Sequence, residues 1–360
     1  MSNPTRTCFV IAPIGLEGSE VRRRSDALFK HVLAPAALAA GYQVIRADQI
    51  NAPGPITGQV VRLLIEADLV IADISGLNPN VMYELGIRHA TRRPVIQFVT
   101  KGERIPFDIA NIRTIVVDYS PDGIGAARET LTQFLSAIDS GAYLGESPVS
   151  AAIDLADMSS TPTKALRLTS KTSASLVNVL KAIDSRLAAV EHRLPRARHT
   201  KKPSQDFSRR VFIVHGHDQA LKNELARLLE KLDFVPIILH EQPDRGQTII
   251  EKLDREMSDA GFAFVVLTPD DVGALATNAD TLQPRARQNV VFEHGLFAGR
   301  LSHSRVCAIR RGDVEIPSDI HGIVYKTVPV GGGIGSIALE IANELKAAGY
   351  VVDANRLLRI

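Results

Sequence analysis

Two stretches of the chain place one acidic side chain in the same apolar setting. Residues 80–90 read NVMYELGIRHA, and residues 289–300 read NVVFEHGLFAGR. The shared spacing Asn-Val-x-x-Glu-x-Gly puts Glu84 and Glu293 at equivalent positions. A carboxylate is costly to keep among apolar neighbours, so a glutamate at this position indicates a site of chemistry.

A carboxylate held against an apolar wall suits the cleavage of a glycosidic bond to a sugar. It can stabilise the positive charge that develops on the ribose carbon, or it can attack that carbon as a nucleophile. N-ribosyl bonds fit best, because a base such as nicotinamide leaves as a neutral molecule and needs little acid assistance. One carboxylate per site would therefore suffice. A purely structural glutamate is the alternative interpretation.

The residues around each glutamate predict its place in the fold. Each motif follows an apolar run and a polar loop, which places both glutamates in the first turn of a helix at the binding edge of a sheet. Asn80 and Asn289 are the predicted helix N-caps, and the positive end of the helix favours an ionised glutamate. Gly86 and Gly295 would let each helix approach a sheet or a ligand closely.

Short β-branched runs alternate with helix-length segments along the whole chain, which is typical of a parallel sheet covered by helices. From Arg210 the pattern restarts, and IPFDI at 105–109 recurs as IPSDI at 316–320. We therefore predict an α/β fold with two flavodoxin/Rossmann-like parallel-sheet domains joined by a helical linker. The predicted ranges are 1–150 for the first domain, 151–209 for the linker and 210–360 for the second domain.

Composition narrows the class of protein. The 360 residues are 45% hydrophobic and 23% charged, and no stretch approaches the roughly 20 apolar residues of a membrane helix. The N-terminus lacks the layout of a signal peptide, so a cytoplasmic protein without membrane contact is expected. Cys8 and Cys307 are predicted to be buried thiols in strands. Neither a metal-binding spacing nor a Walker-type phosphate loop is present.

The predicted linker contains a regular spacing of apolar residues. Its apolar residues alternate steps of four and three, which predicts that residues 173–194 form a short coiled coil and make the protein a homo-oligomer. The seam consists of Leu176, Leu180, Ile183, Leu187, Val190 and Leu194. Packing of this helix on its own domains is the alternative. The basic stretch RLPRARHTKK after it reads as a flexible linker more than as a nucleic-acid patch, because it has no aromatic residue for stacking.

The second half resembles a known family through motifs that occur in order: VFIVHGHD, ILHEQPDRGQTIIEKL, FAFVVLTPDDVG, RARQNVVFEHGLFAGRL and IPSDIHGIVY. About residues 210–350 are similar to the bacterial TIR-like domains, once described as predicted nucleotide-binding proteins, found among antiphage defence effectors. The resemblance implies a flavodoxin-like fold and cleavage of NAD+ to nicotinamide and an ADP-ribose product. NAD+ would be a consumed substrate, no cofactor is implied, and Glu293 would be the catalytic glutamate.

The same resemblance implies a substrate site around Glu293. Phe212, at the end of the first strand of this half, would face the nicotinamide. Arg245 and Gly246 lie in the loop EQPDRGQT and are candidates for phosphate binding or loop closure. Asp270 and Asp271 follow the third strand, where they would bind ribose hydroxyls or stabilise a turn.

The residues next to the glutamate complete this expectation. Asn289 is a further candidate for substrate binding. Arg285 and Arg287 would either meet phosphates or lie solvated. His294 stands where the family usually has a small apolar residue such as Leu.

The first half has a resemblance of its own. Residues 6–120 look like the nucleoside 2-deoxyribosyltransferase-like proteins through CFVIAPIG and ADLVIADISGLNPNVMYELGIRHA. In that superfamily the glutamate at the position of Glu84 is the nucleophile that takes up the sugar, and Asp73 would orient the ligand. Asn80 belongs to the same possible second site. A domain that only binds and senses a nucleotide fits equally well.

Three functional hypotheses follow. The leading one is an NAD+ glycohydrolase that acts as an antiphage effector, in which the first domain senses a nucleotide or a phage cue. The second is a nucleoside or nucleotide glycosidase, or a deoxyribosyltransferase, acting through Glu84. The third is a signalling adaptor that binds nucleotides without any catalysis.

Overall fold

The computed structural model describes residues 6–50, 56–141, 207–242, 249–273, 282–317 and 325–358. The predicted coiled coil at 173–194, the basic linker, Arg245 and Gly246 lie outside the described residues. The predictions made for them therefore stay predictions.

The first half forms a parallel sheet with helices alternating between its strands. The strands are β1 (Arg6–Ile11), β2 (Tyr42–Arg46), β3 (Leu69–Asp73), β4 (Val95–Thr100) and β5 (Thr114–Val117). The α-helices are α1 (Glu20–Leu28), α2 (Ala34–Ala39), α3 (Ile56–Glu66), α4 (Pro79–Ala90) and α5 (Pro121–Asp139), with a π-helical segment Phe29–Leu33 between α1 and α2. Short 3₁₀ turns occupy Ala47–Gln49, Ser75–Leu77 and Phe107–Ile109. The strand order is β2-β1-β3-β4-β5.

The second half repeats this plan. Its strands are β6 (Arg210–His215), β7 (Val235–Ile237), β8 (Phe262–Leu267), β9 (Asp271–Gly273), β10 (Gln283–Arg285), β11 (Val306–Arg311) and β12 (Lys326–Val328). Its α-helices are α6 (Gln219–Lys231), α7 (Ile249–Ser258), α8 (Gln288–Leu301) and α9 (Ala338–Ala347). Short 3₁₀ turns occupy Leu239–Glu241, His303–Arg305, Ile334–Ile337 and Ala354–Leu358. The large sheet has the order β7-β6-β8-β11-β12, and β9 and β10 pair as a small antiparallel ribbon.

The two large sheets confirm the predicted fold class. Both follow the flavodoxin-like order 2-1-3-4-5 when the strands of each half are numbered separately, and both are parallel. The central strands β3 and β8 are buried along their whole length, which explains their unbroken apolar sequences. Cys8 in β1 and Cys307 in β11 are free and buried, as predicted. The β9–β10 ribbon was not predicted.

The helices that carry the two motifs pack on each other. We call Pro79–Ala90 the Glu84 helix and Gln288–Leu301 the Glu293 helix. A Cβ added at Gly86 would lie 2.2 Å from the Phe292 carbonyl oxygen, and one added at Gly295 would lie 2.0 Å from the Tyr83 carbonyl oxygen. The two backbones approach this closely because glycine has no side chain. The neighbour of each glycine is therefore the helix of the other half.

The same contact explains the apolar residues around each glutamate. Val290, Val291, Phe292 and Leu296 belong to a core cluster that also contains residues of the Glu84 helix. Across the contact, the rings of His89 and Phe292 lie 5.6 Å apart, and those of Tyr83 and His294 lie 5.1 Å apart, edge to face. Burying a side chain such as Val or Phe contributes about 1.5–3 kcal/mol. The two halves accordingly form one compact unit.

Both motif helices begin earlier than predicted. Asn78 is the N-cap of the Glu84 helix, and its side chain accepts the backbone N–H of Asn80 at 2.9 Å. Pro79 then fills the first helical position, where its fixed φ and missing N–H are tolerated. Arg287 is the N-cap residue of the Glu293 helix and makes no side-chain cap bond. The predictions of Asn80 and Asn289 as N-caps are wrong, and both glutamates lie in the second turn.

None of the helices within the described residues is long and apolar enough to cross a membrane.

Candidate functional site

Glu293 lies where the Glu293 helix begins, after β8 and the β9–β10 ribbon, at the carboxyl edge of the second sheet. Part of its surface remains accessible to solvent. Protein atoms nevertheless surround the carboxyl group densely, and this desolvation raises its pKa well above the usual value. The negative charge of Asp108 raises the pKa further.

Asp108 comes from the other half of the molecule. It lies in the turn Phe107–Ile109 between β4 and β5, and it is 4% exposed. Burial raises its pKa to about 7, and the charge of Arg287 opposes that shift. Within the described part of the chain, neither carboxyl oxygen of Asp108 has a hydrogen-bond partner.

Asp108 and Glu293 therefore behave as one coupled pair. Of two carboxyl groups that interact in a desolvated place, one ionises less readily than a separate group, because the negative charge of its neighbour raises its pKa. The carboxyl group of Glu293 therefore keeps its proton to higher pH than an ordinary glutamate does.

The start of the Glu293 helix is tied to two loops of the second sheet. Arg287 donates a hydrogen bond to the His217 ring, and the backbone N–H of His217 donates to Asp270 at 3.0 Å. The Thr268 hydroxyl donates to the same Asp270 oxygen at 2.8 Å. Asp270 thus joins the loop after β6 to the loop after β8.

Two further predicted residues of this site, Asp271 and Asn289, belong to the elements that follow Asp270 in the chain. Asp271 begins β9 and pairs in register with Arg285 of β10, so its backbone belongs to the ribbon. Asn289 occupies the second position of the Glu293 helix.

Phe212 does not lie at the edge of the sheet. It is in the middle of β6, it is 1% exposed, and its ring centroid is 4.6 Å from that of Phe297. The prediction that it ends the strand is wrong, because β6 continues for three more residues to His215. Its ring packs in the core.

A cluster at the carboxyl ends of β6 and β7 was not predicted. The His215 Nε2 atom lies 3.2 Å from the His240 Nδ1 atom, and the buried Lys222 ammonium donates to Glu241 at 2.9 Å. The pKa of His215 is lowered, and burial is the largest of the several causes. The sequence signals for this cluster were the histidines of VFIVHGHD and ILHEQ. This cluster precedes the segment with Arg245 and Gly246.

The first half presents a different picture around its own candidate residues. Glu84 is 6% exposed and occupies the same helical position as Glu293. Asp73, at the end of β3, accepts hydrogen bonds from the Ser75 hydroxyl at 2.5 Å and from the Ser75 backbone at 3.1 Å. Burial is the largest cause of the raised pKa of Asp73. Asp73 therefore stabilises its own loop.

Among the described residues, no cluster of three or more His, Cys, Asp or Glu is arranged to hold a metal ion.

The fold and the position of Glu293 define the class of the second half. Residues 210–329 match the family model described as "CAP12/Pycsar effector protein, TIR domain". The identification of this half as a TIR-like domain is confirmed. The resemblance of residues 6–120 to nucleoside 2-deoxyribosyltransferase-like proteins stays a prediction.

Individual relatives agree with that class. The chain is 42% identical over 163 residues to "Uncharacterized protein YuaY" of Escherichia coli (strain K12), covering 44% of this chain and 53% of that protein. It is 36% identical over 125 residues to "Protein tirC" of Dictyostelium discoideum, covering 32% and 62%. It is 32% identical over 112 residues to "CD-NTase-associated protein 12" of Flavobacterium daejeonense, covering 30% and 33%. The chain thus spans less than two thirds of the length of each of these relatives.

Proposed function

We propose that the chain hydrolyses the bond between nicotinamide and ribose in NAD+ and acts as an effector of antiphage defence. The observation that carries the proposal is a partly exposed glutamate, Glu293, in a coupled carboxyl pair inside the segment that matches the TIR domain. Relatives whose names contain "CD-NTase-associated" and "Pycsar effector" support a role in defence.

Glu293 would act as its carboxylate. As the bond to nicotinamide breaks, positive charge develops on the ribose carbon, and the carboxylate stabilises it or attacks that carbon. Nicotinamide leaves as a neutral molecule, and water completes the hydrolysis to ADP-ribose. Because the neutral acid form of Glu293 cannot stabilise a cation, ionisation of this group limits the reaction at low pH.

The first half would regulate this site. Its Glu84 helix packs on the Glu293 helix, so a nucleotide or phage cue bound by the first sheet could act through a contact that lies beside Glu293. Assembly of several chains through residues 173–194 belongs to the same proposal.

Nicotinamide release measured by chromatography tests the proposal. The full chain is incubated with NAD+, with and without a crowding agent that promotes assembly, and Glu293→Gln and Glu84→Gln are run beside it. Loss of release in Glu293→Gln alone is the expected result. Release at the wild-type rate in Glu293→Gln would refute the catalytic assignment.

A second candidate function places catalysis at Glu84. It is favoured by the equal helical position of the two glutamates and by the burial of Glu84. Release of free base from a panel of nucleosides, lost in Glu84→Gln alone, would support this function. Tight nucleotide binding without product in every sample would instead support the adaptor hypothesis.

A further inference from the structure

The proposed function does not use the crevice between the loops that follow β6 and β8. These two strands are neighbours at the centre of the large sheet, with β7 on one side of them and β11 on the other. The chain therefore turns in opposite directions after β6 and after β8. Ligands of such sheets bind at this change of direction, beyond the carboxyl ends of the strands.

Asp270 is fixed in this crevice through one of its two carboxyl oxygens. Its Oδ2 atom accepts the backbone N–H of His217 at 3.0 Å and the Thr268 hydroxyl at 2.8 Å. The two loops approach this closely because residue 216 is glycine: a Cβ at Gly216 would lie 1.6 Å from the Asp270 Oδ2 atom. The fold itself therefore orients the carboxyl group of Asp270.

The second carboxyl oxygen of Asp270 can meet a ligand. The Oδ1 atom makes no hydrogen bond to the described residues, and the side chain is partly exposed. A carboxylate oxygen only accepts hydrogen bonds, so its partner must be an O–H or N–H group. Asp270 thus offers an oriented acceptor at the place where sheets of this kind bind ligands.

His217 adds a donor to the same crevice. The Arg287 guanidinium, which can only donate, bonds to the Nε2 atom of the His217 ring. In the neutral ring Nε2 therefore holds the lone pair, and the proton lies on Nδ1. The His217 side chain is exposed, and its Nδ1–H makes no hydrogen bond to the described residues. The loop after β6 accordingly supplies an N–H donor next to the acceptor of Asp270.

The loop that carries His217 is held from two sides. Asp218 is the N-cap of α6, and its side chain forms an ion pair with Arg311 of β11. Arg287 is the N-cap residue of the Glu293 helix, so its bond to His217 ties the loop to the helix of the proposed catalytic carboxylate. Glu293 follows Arg287 by six residues (293 − 287), which is about 9 Å along the helix axis. One dinucleotide is long enough to reach both places.

A pair of neighbouring hydroxyl groups matches this acceptor and donor. A hydroxyl both donates and accepts, so one hydroxyl of a cis-diol can donate to Asp270 while its neighbour accepts from His217. An acidic side chain binds ribose hydroxyls in the same way in other sheets of this type. A phosphate fits this position less well, because its negative charge would repel the carboxylate. Within a nucleotide, the ribose is the part that carries such a diol.

We propose that Asp270 and His217 form a subsite for the cis-diol of a ribose, and that Asp270 makes the site specific for ribonucleotides over their 2′-deoxy forms. The inference rests on the proposed function, because it names the part of NAD+ that the crevice binds. Both riboses of NAD+ carry this diol, and the experiment distinguishes them. Asp270 is a specificity-determining residue, since it contacts the ligand away from the bond that breaks.

Calorimetric titration of the full chain with ADP-ribose tests the subsite, because this probe keeps both riboses but has no bond to nicotinamide. Two further probes lack one 2′-hydroxyl each, either on the terminal ribose or on the adenosine ribose. The wild type should bind one of these deoxy probes about tenfold more weakly than ADP-ribose. The probe that binds more weakly identifies the ribose in the crevice.

Asp270→Asn separates the two carboxyl oxygens. The amide oxygen of the variant can keep the bonds to His217 and Thr268, while the amide NH₂ group replaces the acceptor that meets the ligand. The affinity for ADP-ribose should fall by about tenfold, and the difference between ADP-ribose and the weaker deoxy probe should disappear. Loss of that difference is a readout that a purely structural aspartate would not give.

Asp313→Asn is the matched control, because the Asp313 side chain is fully exposed after β11. It should bind all three probes as the wild type does. His217→Ala provides a second variant in case Asp270→Asn does not fold, since the His217 side chain is exposed. It should weaken ADP-ribose binding by about threefold to tenfold and reduce the difference between ADP-ribose and the weaker deoxy probe.

Three results would overturn the inference: no binding of ADP-ribose, equal binding of all three probes by the wild type, or an unchanged difference between the probes in Asp270→Asn. The proposed function fails in a separate measurement, through nicotinamide release by Glu293→Gln, because the titration involves no turnover.

Discussion

The two halves have sheets of the same strand order, but their polar groups differ in how they are satisfied. In the first half, Asp73 accepts two hydrogen bonds from Ser75, and the Ser75 hydroxyl accepts the backbone N–H of Thr100 at 2.9 Å. In the second half, the Glu293 helix begins at Gln288, whose buried amide atoms have no partner in the described residues. A satisfied network fixes a loop, whereas unsatisfied buried groups indicate a place where a ligand binds.

The loops before the two motif helices differ as well. The single turn Ser75–Leu77 leads into the Glu84 helix, and the β9–β10 ribbon precedes the Glu293 helix. The two sheets therefore have the same strand order but different loops in front of their motif helices. This difference is consistent with the proposal that the second half is the site of catalysis and the first half its regulator.

The largest expected effect concerns the two glutamates. Glu293→Gln should reduce nicotinamide release by about a thousandfold or more, because it removes the charge that stabilises the developing cation. Glu84→Gln should leave most of the activity. The measurement is the initial rate of release from NAD+ under conditions of assembly. The reverse ranking of the two variants would break the comparison and move the chemistry to the first half.

The next effect concerns the contact that joins the halves. Gly295→Ala should lower the free energy of unfolding by about 1–3 kcal/mol, because the new Cβ would meet the Tyr83 carbonyl oxygen. Gly125→Ala in α5 is the control, since a Cβ there meets nothing within 4 Å and alanine is the better helix former by roughly 0.5–1 kcal/mol. Urea unfolding measures both. Equal stability of the two variants would show that the helices do not pack this closely in solution.

The pH dependence of activity gives a smaller but more specific effect. The pKa of Glu293 is raised by burial and by Asp108, so its carboxylate is lost as pH falls through a value well above 4.5, the ordinary value for a glutamate. The acid limb of kcat/KM should follow that pKa. In Asp108→Asn one cause of the raised pKa is removed, and the acid limb should move to lower pH. If the acid limb of kcat/KM stays at the same pH in this variant, Asp108 does not influence the ionisation of Glu293.

The contribution of Asp108 to the free energy of unfolding should fall as pH rises, whereas activity should increase as pH rises through the acid limb. The pKa of Asp108 is raised from 3.8 to about 7 in the folded protein, so the folded state favours the neutral acid. This stabilisation is fully present below the unfolded pKa and is lost as pH rises through 7. Asp108→Asn, measured against wild type, should therefore gain relative stability between pH 5 and pH 8, by about 2–3 kcal/mol. A constant difference across this range in thermal or urea unfolding would contradict the assignment.

The smallest expected effect is the labelling of the two cysteines, one in each half, which reports local opening of that half. Burial raises the pKa of Cys8 and of Cys307 to about 12, so neither forms a reactive thiolate in the folded protein at pH 8. Both should react with a thiol reagent only when their own half opens. Mass spectrometry of partly labelled protein would show which half opens first. Fast labelling of both without denaturant would contradict the buried positions.

Much of this architecture could be predicted from local pattern. The β-branched runs became strands because each is buried in a parallel sheet, and the repeat of Glu84 and Glu293 correctly indicated two related sheets. The N-cap predictions failed at Asn80 because Asn78 and Pro79 together provide a better helix start. Phe212 was misplaced because a short apolar run does not show at which residue its strand ends.

The strands, their order along the chain and the glutamate spacing depend on residues close in the chain, so they could be read from local pattern. That Gly86 and Gly295 face the opposite helix, and that the charge of Asp108 acts on Glu293, appeared only in the folded structure. Both facts depend on how two separately formed sheets pack, and packing joins residues that are far apart in the chain. The apolar residues around Glu293 belong to the core cluster that the two helices share, and burial raises the pKa of the Glu293 carboxyl group.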